Sequence, residues 1–290
     1  MIEDAHYDFI NVNNLKIHVA SMGTKTVKSP ILLLHGFPEF HYSFRYLMPL
    51  LASQYRVFAI DQRGYNKSSR PKKIKHYSLP FLMKDVIEII KTLSPSKKVY
   101  LVGHDWGGAI AWHVARYFPQ FVEKLIILNC PPIDLLFKAI LRNGRQFLRS
   151  YYIMLFQIPK IPEIFLKLNH FSFLQRILKS IQVKGDQMSE TEMSNYLQCF
   201  NRPRGLSGIN YYRAAFRDMI RKRFIPKIKV QCPTLILWGA RDFALDISLT
   251  PDFEKYVEPN LMKKVLFPNA GHFIQQEIPE EIARHILNFL

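Results

Sequence analysis

The stretch Val99-Tyr100-Leu101-Val102-Gly103-His104-Asp105-Trp106-Gly107-Gly108 constrains this chain more than any other. A β-rich apolar run meets a small–X–acid–X–small turn, and a helical pattern opens at about residue 109. Small residues are needed at 103 and 107 because the turn is sharp and the strand and helix backbones pass closely. The turn holds Asp105 at the carboxyl end of the strand, beside a helix N-terminus whose amides favour negative charge. This is the layout of a nucleophile turn, with Asp where Ser is more common. The plain alternative is a strand–helix loop in which Asp105 only caps the helix. A second turn, Gly205-Leu206-Ser207-Gly208, lacks the spacing and follows no strand.

An Asp nucleophile changes the chemistry. Its carboxylate is ionised at neutral pH without help from a base. It can attack an electrophilic sp3 carbon and form an ester, which water must then hydrolyse. That second step needs a base, and the base needs an orienter. His272, in Asn269-Ala270-Gly271-His272-Phe273, follows the last strand pattern and precedes the last helix. Asp242, in Trp238-Gly239-Ala240-Arg241-Asp242, follows the penultimate strand and can hold the imidazole, with Asp246 as the nearby fallback. A third loop, His35-Gly36-Phe37-Pro38-Glu39, also follows a strand. Gly36 permits close backbone approach, so the amides of Phe37 and Trp106 can form an oxyanion hole. His35 and His104 read as histidines bracing loops, and His35 is also counted among the residues around the substrate.

The pieces fall into one order. Residues 7–12 and 15–21 predict a hairpin turned at Asn13-Asn14. Short apolar runs at 31–34, 56–60, 99–102 and 125–128 predict strands, with helices over 82–93 and 109–118. Continuous rather than alternating apolar runs imply a parallel sheet covered on both faces. From about 133 to 226 no strand is expected; Phe, Leu, Ile and Tyr recur at helical spacing, interrupted by Pro159, Pro162, Gly185 and Pro203. Strands resume at 234–238 and 264–267, and a helix over 277–290 closes the chain, with Pro279 in its first turn. The expected division is a core of residues 1–132 and 227–290 carrying a helical cap of residues 133–226.

With these motifs and Asp61-Gln62-Arg63-Gly64-Tyr65 in place, the whole chain resembles the α/β-hydrolase superfamily. Within it the chain resembles the epoxide hydrolases, most of all the animal membrane-associated branch. The resemblance implies an α/β fold with a mostly parallel eight-stranded sheet and an inserted helical lid. It implies hydrolysis of a lipophilic epoxide to a vicinal diol through an Asp105 ester, with no cofactor and no metal. It further implies two lid tyrosines that donate to the epoxide oxygen. Tyr212 precedes Arg213 as the family pattern asks, and reading back from Phe156-Gln157 favours Tyr152 over Tyr151. Phe37, Pro38, Trp106, Tyr152, Tyr212 and Phe273 are the expected substrate contacts, with His35. Haloalkane and haloacetate dehalogenases share the Asp turn. However, the Arg that grips haloacetate after the nucleophile is here Trp106-Gly107, and the halide-binding Asn of the first loop is here Phe37. A non-catalytic small-molecule binder of this fold should lack a member of the Asp-His-Asp set, and this chain lacks none. Asn66 stands where the pattern usually has Gly, and Asn is the residue best able to replace it at positive φ.

Composition bounds the partners. The formal net charge is +17 over 290 residues, and residues 133–226 carry 16 Lys and Arg against 6 Asp and Glu, a net +10. No zinc-finger spacing, RNA-binding signature or basic run longer than Arg221-Lys222-Arg223 points to nucleic acid. A basic, aromatic lid suits peripheral contact with an anionic membrane instead. The six phenylalanines Phe137, Phe147, Phe156, Phe165, Phe171 and Phe173 suit a lipophilic ligand. Cys130, Cys199 and Cys232 lie far apart and read as buried thiols of a reducing compartment. The first residues carry neither a basic region nor an apolar run, so no signal peptide is expected. The expected location is cytoplasmic, or on an intracellular membrane if the native chain has an N-terminal extension, as a monomer or homodimer.

Overall fold

In the computed structural model, which describes residues 1–24, 27–183, 186–221 and 228–290, the hairpin opens the chain. β1 (His6–Val12) and β2 (Leu15–Met22) turn at Asn13 and Asn14, whose φ values are 50° and 59°. Then follow β3 (Ile31–Leu34), α1 (Leu47–Ala52), β4 (Val57–Ile60), α2 (Leu79–Leu93), β5 (Val99–His104), α3 (Trp106–Tyr117) and β6 (Val122–Leu128). Every residue of β3, β4 and β5 is buried, so both faces of the sheet are covered. The α1 and α2 surfaces pack on the terminal helix α11 (Pro279–Phe289) and on α3, respectively. Leu82, Val86, Ile89 and Ile90 form the buried stripe of α2 at helical spacing.

Between β6 and β9 (Thr234–Gly239) the described residues are mostly helical: α4 (Ile133–Arg142), α5 (Gly144–Arg149), α6 (Tyr151–Leu155), α7 (Ile161–Lys179), α8 (Glu190–Asn201) and α9 (Ile209–Ile220). α7 breaks at Leu168–Phe171. One departure from expectation is a two-residue hairpin, β7 (Gln182–Val183) with β8 (Asp186–Gln187). Gly185, Lys222, Arg223 and the expected boundary at residue 226 lie outside the described residues. β10 (Met262–Phe267) and the short α10 (Ile274–Glu277) precede α11, so the predicted closing helix is divided ahead of Pro279, whose missing N–H suits a first turn.

The sheet has eight strands in the order β1-β2-β4-β3-β5-β6-β9-β10, antiparallel through β4 and parallel from there on. The chain leaves β3 toward β4 and returns on the other side of β3 as β5. At such a reversal the loops after the two strands diverge and leave a crevice. That crevice lies between the Gly36–Glu39 loop and Asp105. Lys263 and Lys264 put charge on the exposed edge strand β10, which discourages pairing with another sheet.

The helical insertion is tied to the core by buried polar contacts. Arg45 Nε meets Glu192 Oε1 at 2.5 Å, Tyr211 donates to the Arg63 carbonyl at 2.9 Å, and Tyr256 donates to Asp134 at 2.8 Å. At the reversal the packing leaves no slack. A Cβ on Gly107 would stand 2.1 Å from the Leu34 carbonyl oxygen, a backbone atom that cannot swing aside. Gly107→Ala is therefore expected to destabilise the fold by at least about 1–3 kcal/mol, checked by urea unfolding.

Candidate active site

Asp105 has φ 48° and ψ −120°, a backbone conformation rarely seen outside glycine. It occupies the position preceding α3, yet its side chain makes no capping hydrogen bond. That separates it from an ordinary helix cap: the carboxylate is turned away from the helix and into the crevice. Phe37 N donates to its Oδ1 at 2.8 Å. Gly36 makes this approach feasible, because a Cβ there would fall 2.3 Å from the Asp105 Cβ. The other oxygen, Oδ2, lies 3.8 Å from His272 Nε2.

His272 sits between β10 and α10, and its Nδ1 meets Asp242 Oδ2 at 2.7 Å. Asp242 is held from every side. Asn129 Nδ2 donates to Oδ2 at 2.7 Å, while the amides of Ala244 and Leu245 donate to Oδ1 at 2.7 and 2.8 Å. Asp246 faces elsewhere: it accepts from Ser248 N and pairs with Arg149, so it does not replace Asp242.

The charges are coupled. Burial alone would raise Asp242, but His272 and these donors hold it below the ordinary carboxylate range. Burial works against the imidazolium of His272, but Asp242, then Asp105 and Glu39, push it up to about 9. Burial also lifts Asp105 above its usual value, against the opposing pull of His272, His104 and the amides of Phe37 and Trp106. Behind this set lies a second pair. His104 Nδ1 meets Glu39 Oε2 at 2.8 Å and its Nε2 faces the His272 carbonyl at 2.9 Å, with both side chains fully buried. Both partners of His104 are oxygen acceptors.

Tyr212 and Tyr152 close the crevice from the insertion. Their rings lie 5.8 Å apart, and Tyr212 stands edge-on to Trp106 at 4.9 Å. Burial pushes both phenols well above their usual pKa, so both keep their protons. Tyr151, the alternative, is 56% exposed at the rim. Arg213 ties the two tyrosine-bearing segments together, donating to the carbonyls of Phe156 and Ile158 and pairing with Glu163.

A cavity of about 660 Å³ runs from Asp105, His272 and the two tyrosines out through the insertion. Phe37, Pro38 and Phe273 line it, as do Phe156, Phe165 and Phe173. A niche of about 40 Å³, which shares Asp105, Tyr152 and Tyr212 with the main cavity, is lined by Trp106, Cys130 and Phe137. One expectation is corrected. His35 lines neither space, since its ring is fully buried and spent on the Gly36 carbonyl and the Gln62 amide. Phe147 is turned outward, and Phe171 is packed against Phe200. Asn129, Arg213 and Glu39 are the contributors that sequence reasoning passed over; His104 braces a loop, and Glu39 is the partner it takes. An Arg directly after Tyr212 was the one local signal among them.

Three residues of metal-ligating type do gather elsewhere: His18, His41 and Asp61, all buried. Their ligand atoms are spent on one another, His18 Nδ1 and His41 Nδ1 each 2.7 Å from an Asp61 oxygen. Asn66, at φ 38°, also donates to Asp61, so the turn survives the loss of glycine there.

Similarity to known proteins follows the same lines. A family model described as alpha/beta hydrolase fold matches residues 29–278. Epoxide hydrolase 4 of Homo sapiens is 37% identical over 289 residues, covering 98% of this chain and 78% of that protein. The AB hydrolase superfamily protein YfhM of Bacillus subtilis is 33% identical, covering 97% and 96%. An epoxide hydrolase from Bacillus megaterium, solved in complex with an inhibitor, superposes with a TM-score of 0.88 at 28% identity, covering 97% of this chain and 99% of that one. Removing the Asp242 charge takes away the main attraction that raises His272. Asp242→Asn should therefore lower the His272 pKa from about 9, read by NMR titration of the ring.

Proposed function

This chain belongs to the α/β-hydrolase family and, within it, to the epoxide hydrolases; on that footing we propose that it opens a lipophilic epoxide to a vicinal diol through an ester on Asp105. The observation that carries the reading is the meeting of one carboxylate and two protonated tyrosines in a single apolar cavity. A halide leaves without a proton, whereas a departing epoxide oxygen needs one. Two buried phenol donors facing the nucleophile suit the second demand.

Asp105 Oδ2 attacks the less hindered epoxide carbon, and the C–O bond breaks as Tyr152 and Tyr212 hydrogen-bond the oxygen and supply its proton. Oδ1 is already cradled by the Phe37 amide, where the carbonyl oxygen of the glycol monoester comes to rest. Esterification removes the negative charge of Asp105, one of the attractions that hold His272 near 9. The imidazole pKa falls at that moment, so His272 gives up its resting proton, which returns to the tyrosinate left by ring opening, and the neutral ring then takes a proton from water. Hydroxide adds to the ester carbonyl, and the amides of Phe37 and Trp106 stabilise the oxyanion. As the adduct collapses the departing diol oxygen takes the proton of the added hydroxyl, leaving the Asp105 carboxylate and a protonated His272 as at the start. Asp242 holds His272 in the tautomer that presents Nε2 to the water.

Single turnover of a small aryl epoxide in heavy-oxygen water should place label in the Asp105 carboxyl and yield diol. Halide release from a haloalkane with no epoxide turnover would overturn the reaction class. Asp105→Ala should reduce turnover on the order of 10³-fold or more. Tyr212→Phe and Tyr152→Phe should each cost roughly 10²–10⁴-fold in the ring-opening step. In His272→Gln the ester should accumulate, visible as a mass increase equal to that of the substrate.

A further inference from the structure

The outer face of the insertion is unusual for a surface in water. Phe147, Leu148, Leu155, Ile161, Ile164 and Leu168 are 52, 70, 50, 58, 59 and 54% exposed. They come from one stretch, α5 through the first half of α7, and Leu148, Leu155 and Ile161 also line the main cavity. The patch is therefore continuous with the cavity wall and is not a scatter of single exposed side chains. Cations stand beside it in the chain. Arg142, Lys160 and Lys167 are exposed, adjoin or lie within this stretch, and have no ion-pair partner among the described residues.

We propose that this face seats on an anionic lipid bilayer, and that the cavity draws its substrate from the bilayer through it. The inference rests on reading that cavity as the epoxide site. Charge selects the occupant. Residues 142–168, which carry the patch, hold five Lys and Arg against one Glu, a net +4, so two copies meeting through this face would set like charge against like. An anionic surface accepts both features: the side chains of Phe147, Ile164 and Leu168 enter the acyl boundary while the cations meet headgroups. Each Lys or Arg at such a surface strengthens binding about fivefold. A lipophilic epoxide concentrates in the bilayer, where the patch would place the cavity mouth.

The test uses vesicles of phosphatidylcholine with phosphatidylserine, against phosphatidylcholine alone. The chain should sediment with the first, less so as salt rises, and weakly with the second. The double variant Phe147→Glu/Ile164→Glu alters two side chains outside the cavity. It should bind the anionic vesicles at least about tenfold more weakly. Its turnover of a water-soluble epoxide should match the parent, while turnover of an epoxide dissolved in vesicles falls with binding. Equal binding to both vesicle types, or a double variant that binds as the parent does, overturns the proposal. So does a parent that forms a dimer which the double variant abolishes, with vesicle binding unchanged. If neither epoxide is turned over by the parent, the reaction fails as a reading while vesicle binding still decides the docking face.

Discussion

Where β3 and β5 end side by side, two backbones come within contact of each other, and the rest of the molecule is arranged around that contact. Gly107 packs on the carbonyl of Leu34 and Gly36 packs on the side chain of Asp105. The sheet reversal brings these loops together, and only residues without a Cβ can occupy them. The contact also determines chemistry. It turns the Asp105 carboxylate off the helix it precedes and sets one of its oxygens on the Phe37 amide. Loops from the ends of β9 and β10 then need only carry Asp242 and His272 to the other oxygen.

Buried charge is the second organising force. An isolated carboxylate in this interior would be costly, so each is paired or multiply hydrogen-bonded. Asp242 has four donors, Glu39 has His104, Ser43, Gln275 and Gln276, and Asp61 has two histidines and Asn66. Asp105 is the least satisfied of these, with a pKa raised rather than lowered. The charge to which the proposed mechanism assigns the reaction is the one the fold stabilises least. The Glu39–His104 pair braces the His272 main chain from behind, through a carbonyl rather than through the reacting ring.

Much of this was legible from sequence because the signals were local. Gly103-X-Asp105-X-Gly107 encodes a turn, Gly271-His272 and Gly239-X-X-Asp242 encode loops after strands, and continuous apolar runs encode buried parallel strands. Asn66 and the Asn13-Asn14 turn adopted the positive φ their side chains allow. What escaped was long-range. Asn129 reaches Asp242 across 113 residues and Glu39 reaches His104 across 65, and no periodicity records such a partner. Of the six phenylalanines at 137, 147, 156, 165, 171 and 173, three line the main cavity, one lines the niche, one packs inside and one faces out. Spacing identifies a face; it does not say which neighbour that face meets. His35 fails only as a substrate contact, because its motif adjoins the cavity while its ring turns into the core and braces the loops there.

Two spaces of unequal size meet at Asp105, Tyr152 and Tyr212, one of about 660 Å³ and one of about 40 Å³. Under the proposed reaction, an oxirane held by its oxygen between two phenols would direct its larger substituent into the first and only a small one into the second. Mirror-image substrates would then present different carbons to the same carboxylate oxygen, and handedness would be read through volume.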